Sequence, residues 1–222
     1  MVDLAKAGVP KTIGPKPIVF TVIGLMAAYV IYHNEYFLIN AAAPIWKHYE
    51  PFKWYLLGHG LAGGCALVLA PMQFSDRLRR RYLTLHRTTG AFYVAGAMIL
   101  APLGIIIQYF DEAQGADRSF TVETVIQGSL LFTTTLIGLV FALRRRIDQH
   151  RQWMIRSYAA ALTFLEIRVI LGIFGLDNPF DWRTVETVVW SCTASAILVG
   201  DIANLVYDAR TGRFGRARRA AG

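Results

Sequence analysis

The sequence predicts an all-α, polytopic membrane protein with six transmembrane helices and both termini on the cytoplasmic side. Three observations predict it. The first is composition: 55% of the 222 residues are hydrophobic and only 17% are charged, against about 25% charged in a typical soluble domain. Mean hydropathy is +0.39. The second is that the apolar residues fall into six runs, each near the roughly 20 helical residues that cross a bilayer core. The third is where the cations sit. Eighteen of the 23 Lys and Arg residues lie in the N-terminal segment, the second-to-third and fourth-to-fifth connections and the tail. Lys47, Lys53, Arg118 and Arg183 lie on the other side, and Arg168 is inside a run. Cationic loops stay cytoplasmic, and an even number of spans then returns the chain to the side on which it started.

The runs justify the helices in order. They are 17–39 (PIVFTVIGLMAAYVIYHNEYFLI), 54–74 (WYLLGHGLAGGCALVLAPMQF), 83–109 (LTLHRTTGAFYVAGAMILAPLGIIIQY), 122–143 (VETVIQGSLLFTTTLIGLVFAL), 150–174 (HRQWMIRSYAAALTFLEIRVILGIF) and 184–207 (TVETVVWSCTASAILVGDIANLVY). Turn-forming residues fill the outer loops: NAAAP before Ile45, DEAQGAD at 111–117 and GLDNPFDW at 175–182. The chain therefore divides into a cytoplasmic N-terminal segment, 1–16, a six-helix transmembrane domain, 17–207, and a basic cytoplasmic tail, 208–222, suited to anionic lipid. The first 17 residues are polar, and the apolar run that follows is too long for the core of a cleavable signal peptide. Multi-pass insertion in a bacterial inner membrane, with lipid as the first partner, is the expectation.

The formal charge of +8 would suggest nucleic acid on a soluble protein. Here it concentrates between apolar runs and reads as membrane orientation, so no nucleic-acid partner is expected. No phosphate-loop or nucleophile-elbow motif occurs, and carboxylates are too sparse on any one run for a di-iron site. No inverted repeat points to a transporter. Cys65 and Cys192 each lie inside an apolar run without metal-type spacing, which reads as packing.

An ionisable side chain within a bilayer is costly and so is a candidate for function. His59, His86, His150, Glu166, Arg168 and Asp201 fall inside the runs, with Gln127 as a polar, uncharged addition. Orientation sorts them by depth. His86 and His150 begin helices that enter from the cytoplasmic side, so they define an inner cluster with Arg87, Arg151 and Arg156, and with Asp201 nearby. His59, Gln127, Glu166 and Arg168 define an outer cluster. Glu166 and Arg168 are 16 and 18 residues beyond His150, roughly 24–27 Å along a helix. As i and i+2 neighbours they cannot face each other.

His86 shares a helix face with Gly90, Tyr93 and Ala97, and His150 shares one with Met154, Ser157 and Ala161. Gly58, Gly60, Gly63 and Gly64 make a third small face. Small faces allow close helix packing or room for a flat ligand. Two imidazoles at one depth on parallel helices suit axial ligation of a haem iron, with Arg87, Arg151 and Arg156 against the propionates. The other reading makes both histidines interfacial, bonded to headgroups or backbone.

The stretches HGLAGGCALVLAPMQFSDRLRRRYLTLHRTTGAFYVAG and HRQWMIRSYAAALTFLEIRVIL resemble the bacterial membrane proteins of domain-of-unknown-function family 2306. The matching positions are His59, Gln73, Phe74, His86, Arg87, Gly90, Tyr93, His150, Trp153, Met154, Arg156, Ser157, Tyr158 and Arg168. The resemblance covers about residues 55–205 and implies a fold rather than an activity. A weaker similarity is to cytochrome b561, which implies a four-helix core holding bis-histidine haem b. His86 and His150 map to its inner pair. Its outer pair needs a histidine on the fourth helix, where this chain has only Gln127, so at most one haem, in the inner leaflet, is implied.

The expected function is then electron transfer through haem b, with quinone or metal reduction as the reaction class of a membrane oxidoreductase. The outer cluster would hold a quinone headgroup or a proton network. The alternative is a non-enzymatic subunit that packs against a larger respiratory or photosynthetic complex, or against copies of itself.

Overall fold

The computed structural model describes residues 15–38, 40–176 and 181–211. Helices occur in the order α1 (Pro15–His33), α2 (Trp46–Tyr49), α3 (Lys53–Gln73), α4 (Asp76–Arg81), α5 (Leu83–Ala113), α6 (Arg118–Leu143), α7 (Ile147–Ile173) and α8 (Trp182–Arg210), with 3₁₀ turns at Tyr36–Leu38 and Glu50–Phe52. No strand occurs among the described residues. Six of the helices are long, and five of these (all but α7) are both long and apolar enough to cross a membrane. The chain is an integral membrane protein of the all-α class.

Most boundaries follow local chemistry. Asp117 caps α6, accepting from Ser119 N at 2.7 Å; Asp181 caps α8 and Ser75 caps α4, each through a side-chain oxygen on a backbone N–H. The first apolar run, expected to reach residue 39, stops being helical at His33. Its polar sequence His33-Asn34-Glu35 turns back instead, with the N–H groups of Asn34 and Glu35 both bonded to Val30 O. The α6–α7 turn places Arg145 at φ 57°, in the left-handed region uncommon for a residue with a Cβ. The last helix runs to Arg210, so the expected tail boundary at 208 falls within α8. The rest of the tail, and most of the expected 1–16 segment, lie outside the described residues.

Helices α3, α5, α6 and α7 form the core. Neighbouring pairs are α3/α5, α5/α6, α6/α7 and α7/α3, which leaves α5 facing α7 across one diagonal and α3 facing α6 across the other. Helix α8 packs on α7 and α6, and α1 rests on α7. The centre is built from small residues, with Ala66, Ala70, Ala97, Ala101, Ala160 and Ala161 packed around Tyr93, Leu131 and Tyr158. At Gly96 a Cβ would lie 2.8 Å from Ala62 O, so glycine there lets α3 and α5 approach backbone to backbone. Large apolar side chains such as Ile18, Leu25, Leu61, Val68, Phe92 and Leu198 point outward, as lipid contact requires.

Helix α7 departs from this pattern. It is the least apolar long helix and holds the most enclosed position, touched by α1, α3, α6 and α8. Ser157 through Ala161 are five consecutive buried residues. Its polar groups meet protein on nearly every side, which is the condition under which a bilayer tolerates them.

The two ends of the bundle differ. One, here the basic end, holds the α3–α5 and α6–α7 connections. There Lys16 Nζ donates to Phe74 O at 3.1 Å and Asp76 Oδ2 at 2.9 Å. Lys16 also lies 5.7 Å from the Tyr207 ring centre, so the beginning of α1 and the end of α8 share this end. The far end is closed by an aromatic layer of Phe37, Trp46, Tyr49, Phe52 and Phe110. Trp46 Nε1 donates to Phe37 O and Asn40 O.

Candidate functional site

His86 and His150 occupy the basic end of the α5/α7 diagonal. Each is the fourth residue of its helix and closes the first turn, His86 N bonding Tyr82 O and His150 N bonding Arg146 O. The two imidazoles fall within range of each other's charge, and His86 also senses Arg79 and Arg87. His150 Nδ1 lies 2.8 Å from Gly138 O on α6. A backbone carbonyl accepts only, so Nδ1 carries the hydrogen and Nε2 keeps its lone pair. Gly138 makes this contact possible: a Cβ there would collide with Met154 Sδ at 2.6 Å.

His86 is set by Gln73, the last residue of α3. Turned so that both ends are satisfied, the Gln73 amide nitrogen reaches His86 O at 3.1 Å and His86 Nδ1 at 3.2 Å. Its oxygen then accepts from Gly90 N at 3.1 Å and Thr89 Oγ1 at 2.6 Å. Gly90 suits this contact, because a Cβ there would sit 3.0 Å from the amide nitrogen of the turned Gln73.

Two turns further along both helices, a hydroxyl layer closes the diagonal. Tyr93 OH on α5 and Thr135 Oγ1 on α6 are each 2.7 Å from Ser157 Oγ on α7. Seven residues separate Tyr93 from His86 and Ser157 from His150, about 10.5 Å of helix in both cases. On the deep side of both histidines lies a layer of three bonded hydroxyls.

The arginines are partly engaged elsewhere. Arg151 Nη2 donates to Asp208 Oδ1 at 2.7 Å, and its guanidinium stacks 3.7 Å from the Tyr207 ring centre. Its Nε and Nη1 are buried without an acceptor among the described residues. Arg156 Nε donates to Asp201 Oδ1 at 2.7 Å and lies over the Trp153 ring. Arg156 was expected as a propionate contact; α8 supplies it with a carboxylate instead, and Asp201 does join the inner cluster in that role. Arg87 is exposed beside His86.

The expected outer cluster does not form one site. His59 Nδ1 lies 3.1 Å from Leu100 O, with its ring against Gly104 and near Thr124. Gln127 Nε2 donates to Ala160 O at 2.9 Å, joining α6 to α7. Arg168 is exposed at the far end, over Phe164 and in range of Glu35, Tyr49 and Asp111. Glu166 looks the other way, toward Cys192 of α8. The two-residue spacing separates Glu166 from Arg168 around the helix.

The residue that sequence reasoning missed is Glu123 on α6, a carboxylate only 5% exposed. Thr193 Oγ1 donates to its Oε1, and Thr124 lies alongside. One turn outward, Ser119 Oγ donates to Glu186 Oε1 and accepts from Trp190 Nε1 at 3.0 Å. Glu123 and Glu186 occupy the same place in a repeated word, TVETV, at 121–125 and 184–188. The word begins two parallel helices, and each copy places its carboxylate against a hydroxyl of the other helix. That repeat was the signal available in the sequence.

The fold and its polar interior define a polytopic helical membrane protein with an enclosed, polar central helix. The family described as Predicted membrane protein (DUF2306) matches residues 56–203, about two thirds of the chain, and the chain belongs to it. No curated protein and no solved structure matches the chain.

Proposed function

We propose that the inner cluster binds haem b between His86 and His150, and that the protein carries electrons in a bacterial inner membrane with its basic end in the cytoplasm. The observation that carries this reading is the orientation of His150. Its Nδ1–H is committed to Gly138 O, the arrangement by which a metal-binding histidine is fixed with Nε2 presented. His86 lies across the same diagonal. Ligation through its Nε2 requires Nδ1–H to donate to Gln73, which means turning the amide back so that its oxygen faces His86 and its nitrogen faces Gly90 N, at the expense of the amide's bonds to His86 O and Gly90 N. The hydroxyl layer at Tyr93, Ser157 and Thr135 lies on the deep side of both histidines. The Nε and Nη1 of Arg151, without an acceptor among the described residues, and the exposed Arg87 suit anionic propionates. The diagonal pair is also what the cytochrome b561 resemblance implies.

Bound haem would supply a one-electron couple. The chain's own part is to hold the two imidazoles, exclude water through the Ala-rich centre, and balance charge at the basic end. The test is the visible spectrum of protein purified from haem-replete cells. A Soret band is expected, lost in His86→Ala and in His150→Ala. A colourless preparation that is monodisperse and fully helical overturns the reading.

A further inference from the structure

A groove of about 510 Å³ runs between α6 and α8, lined by Ile126, Ser129, Leu130, Thr133, Trp190, Thr193, Ala194 and Ile197. This volume is in the range of small-molecule sites, roughly 300–1,000 Å³. We propose that this groove binds a lipid-soluble quinol: an aromatic ring bearing hydroxyl groups, with an apolar tail. The proposal deepens the electron-carrier reading by naming what would meet the protein from the lipid.

Several features select that occupant over a bare acyl chain. The groove opens on the lipid-facing side of the bundle, where Ile126, Ser129, Thr133 and Ala194 are all exposed. The hydroxyls of Ser129 and Thr133, one turn apart on α6, make no hydrogen bond among the described residues. The neighbouring Thr134 and Thr135 bond back to Leu130 O and Leu131 O. Hydroxyls left open toward hydrocarbon call for a polar ligand. The Trp190 ring offers a flat wall for another ring.

Thr193 sets the ligand's hydrogen-bonding sense. While Glu123 is ionised, Thr193 spends its hydrogen on it, so toward the groove its oxygen accepts and the partner must donate. A ring hydroxyl does so and a quinone carbonyl does not. Glu123 sits behind Thr193, with Thr124 Oγ1 at 3.5 Å from its other carboxyl oxygen. Outward of it, Ser119 and Glu186 continue the polar line toward the far end. Inward, Thr133 is five residues from Gly138, roughly 7.5 Å along α6, which places the groove's deep end close to the His150 layer.

The experiment is photolabelling of the full chain in detergent with a short-tailed azidoquinol, followed by peptide mapping and competition. Label is expected on 126–133 and 190–197. A short-tailed quinol should displace it at least ten-fold better than the matching quinone. Ala194→Trp, which fills the groove from an exposed position, should abolish it; Thr193→Val should remove the preference for quinol. Label spread over other helices, or displaced equally well by phosphatidylglycerol, overturns the proposal and leaves the groove to acyl chains. Equal competition by quinone and quinol overturns the role given to Thr193. None of these readouts needs haem, so a colourless protein fails the electron-carrier reading without deciding this one.

Discussion

The two halves of α7 handle polar groups in opposite ways. Toward the basic end, Arg151 and Arg156 meet Asp208 and Asp201 of α8 at 2.7 Å each, and this pairing leaves the histidines uninvolved in charge balance. Toward the far end, Glu166 lies within electrostatic range of the Cys192 thiol on α8, and its neighbour on α6, Glu123, is bonded by the hydroxyls of Thr193 and Thr124. The first half neutralises charge with charge, which fixes side chains in place. The second surrounds acids with groups that share a proton, which suits exchange. Helix α7 thus joins an end held by ion pairs to an end whose neighbouring acids are held by hydroxyls.

The largest expected effect comes from breaking the rigid end. The Arg151–Asp208 pair has side chains only 13% and 17% exposed. Arg151→Met should therefore cost about 3 kcal/mol, because it strands a buried carboxylate. Arg151→Met combined with Asp208→Leu should recover most of that loss. Unfolding followed by circular dichroism in denaturing detergent measures both, and a double variant as unstable as the single would show that the pair is not a unit.

A smaller effect is expected where the halves meet. Ser157→Ala removes the shared partner of Tyr93 and Thr135 and leaves the buried Tyr93 hydroxyl unpaired, while Thr135 keeps its bond to Leu131 O, at a cost of about 1–3 kcal/mol. Thr135→Val should cost less, since it leaves the Tyr93–Ser157 bond intact. Equal costs would mean that the hydroxyl layer contributes nothing beyond side-chain volume.

The smallest effect compares the surfaces at the two ends by pH. A hydrogen bond from Lys16 holds the Asp76 carboxyl below its ordinary value of 3.8. Its contribution is present above that value and is lost as pH falls through the depressed one. Burial pushes Glu35 above its ordinary 4.5, with Arg168 pulling the other way. Its contribution is complete below 4.5 and is lost as pH rises through the raised value. Lys16→Met should flatten the acid limb of a stability–pH curve, and Glu35→Gln should flatten the opposite slope. Lys16 and Asp76 are nearly half exposed, so the acid-limb change should stay below about 1 kcal/mol and shrink with salt.

The helices and the two ends were legible in the sequence because burial in lipid and cation placement act on composition. The inner cluster was legible for the same reason: His86 and His150 follow the same basic entry, which fixes their depth. The outer cluster was misread because depth alone does not give direction. Glu166 and Arg168 share a level but point to different helices, and Glu123 was hidden at the beginning of an apolar run. The bonds of Arg151 and Arg156 were out of reach, since their carboxylates come from α8, 57 and 45 residues away.

By itself the sequence determined that the chain crosses a membrane as helices and which residues lie at which depth, because the hydrophobic effect reads local composition. Only the tertiary structure decided which helix stands at the centre and which polar group each side chain meets. Helix α7 is polar in sequence and central in space because four neighbours enclose it. That enclosure is a property of how helices pack around one another, which no single run of residues encodes.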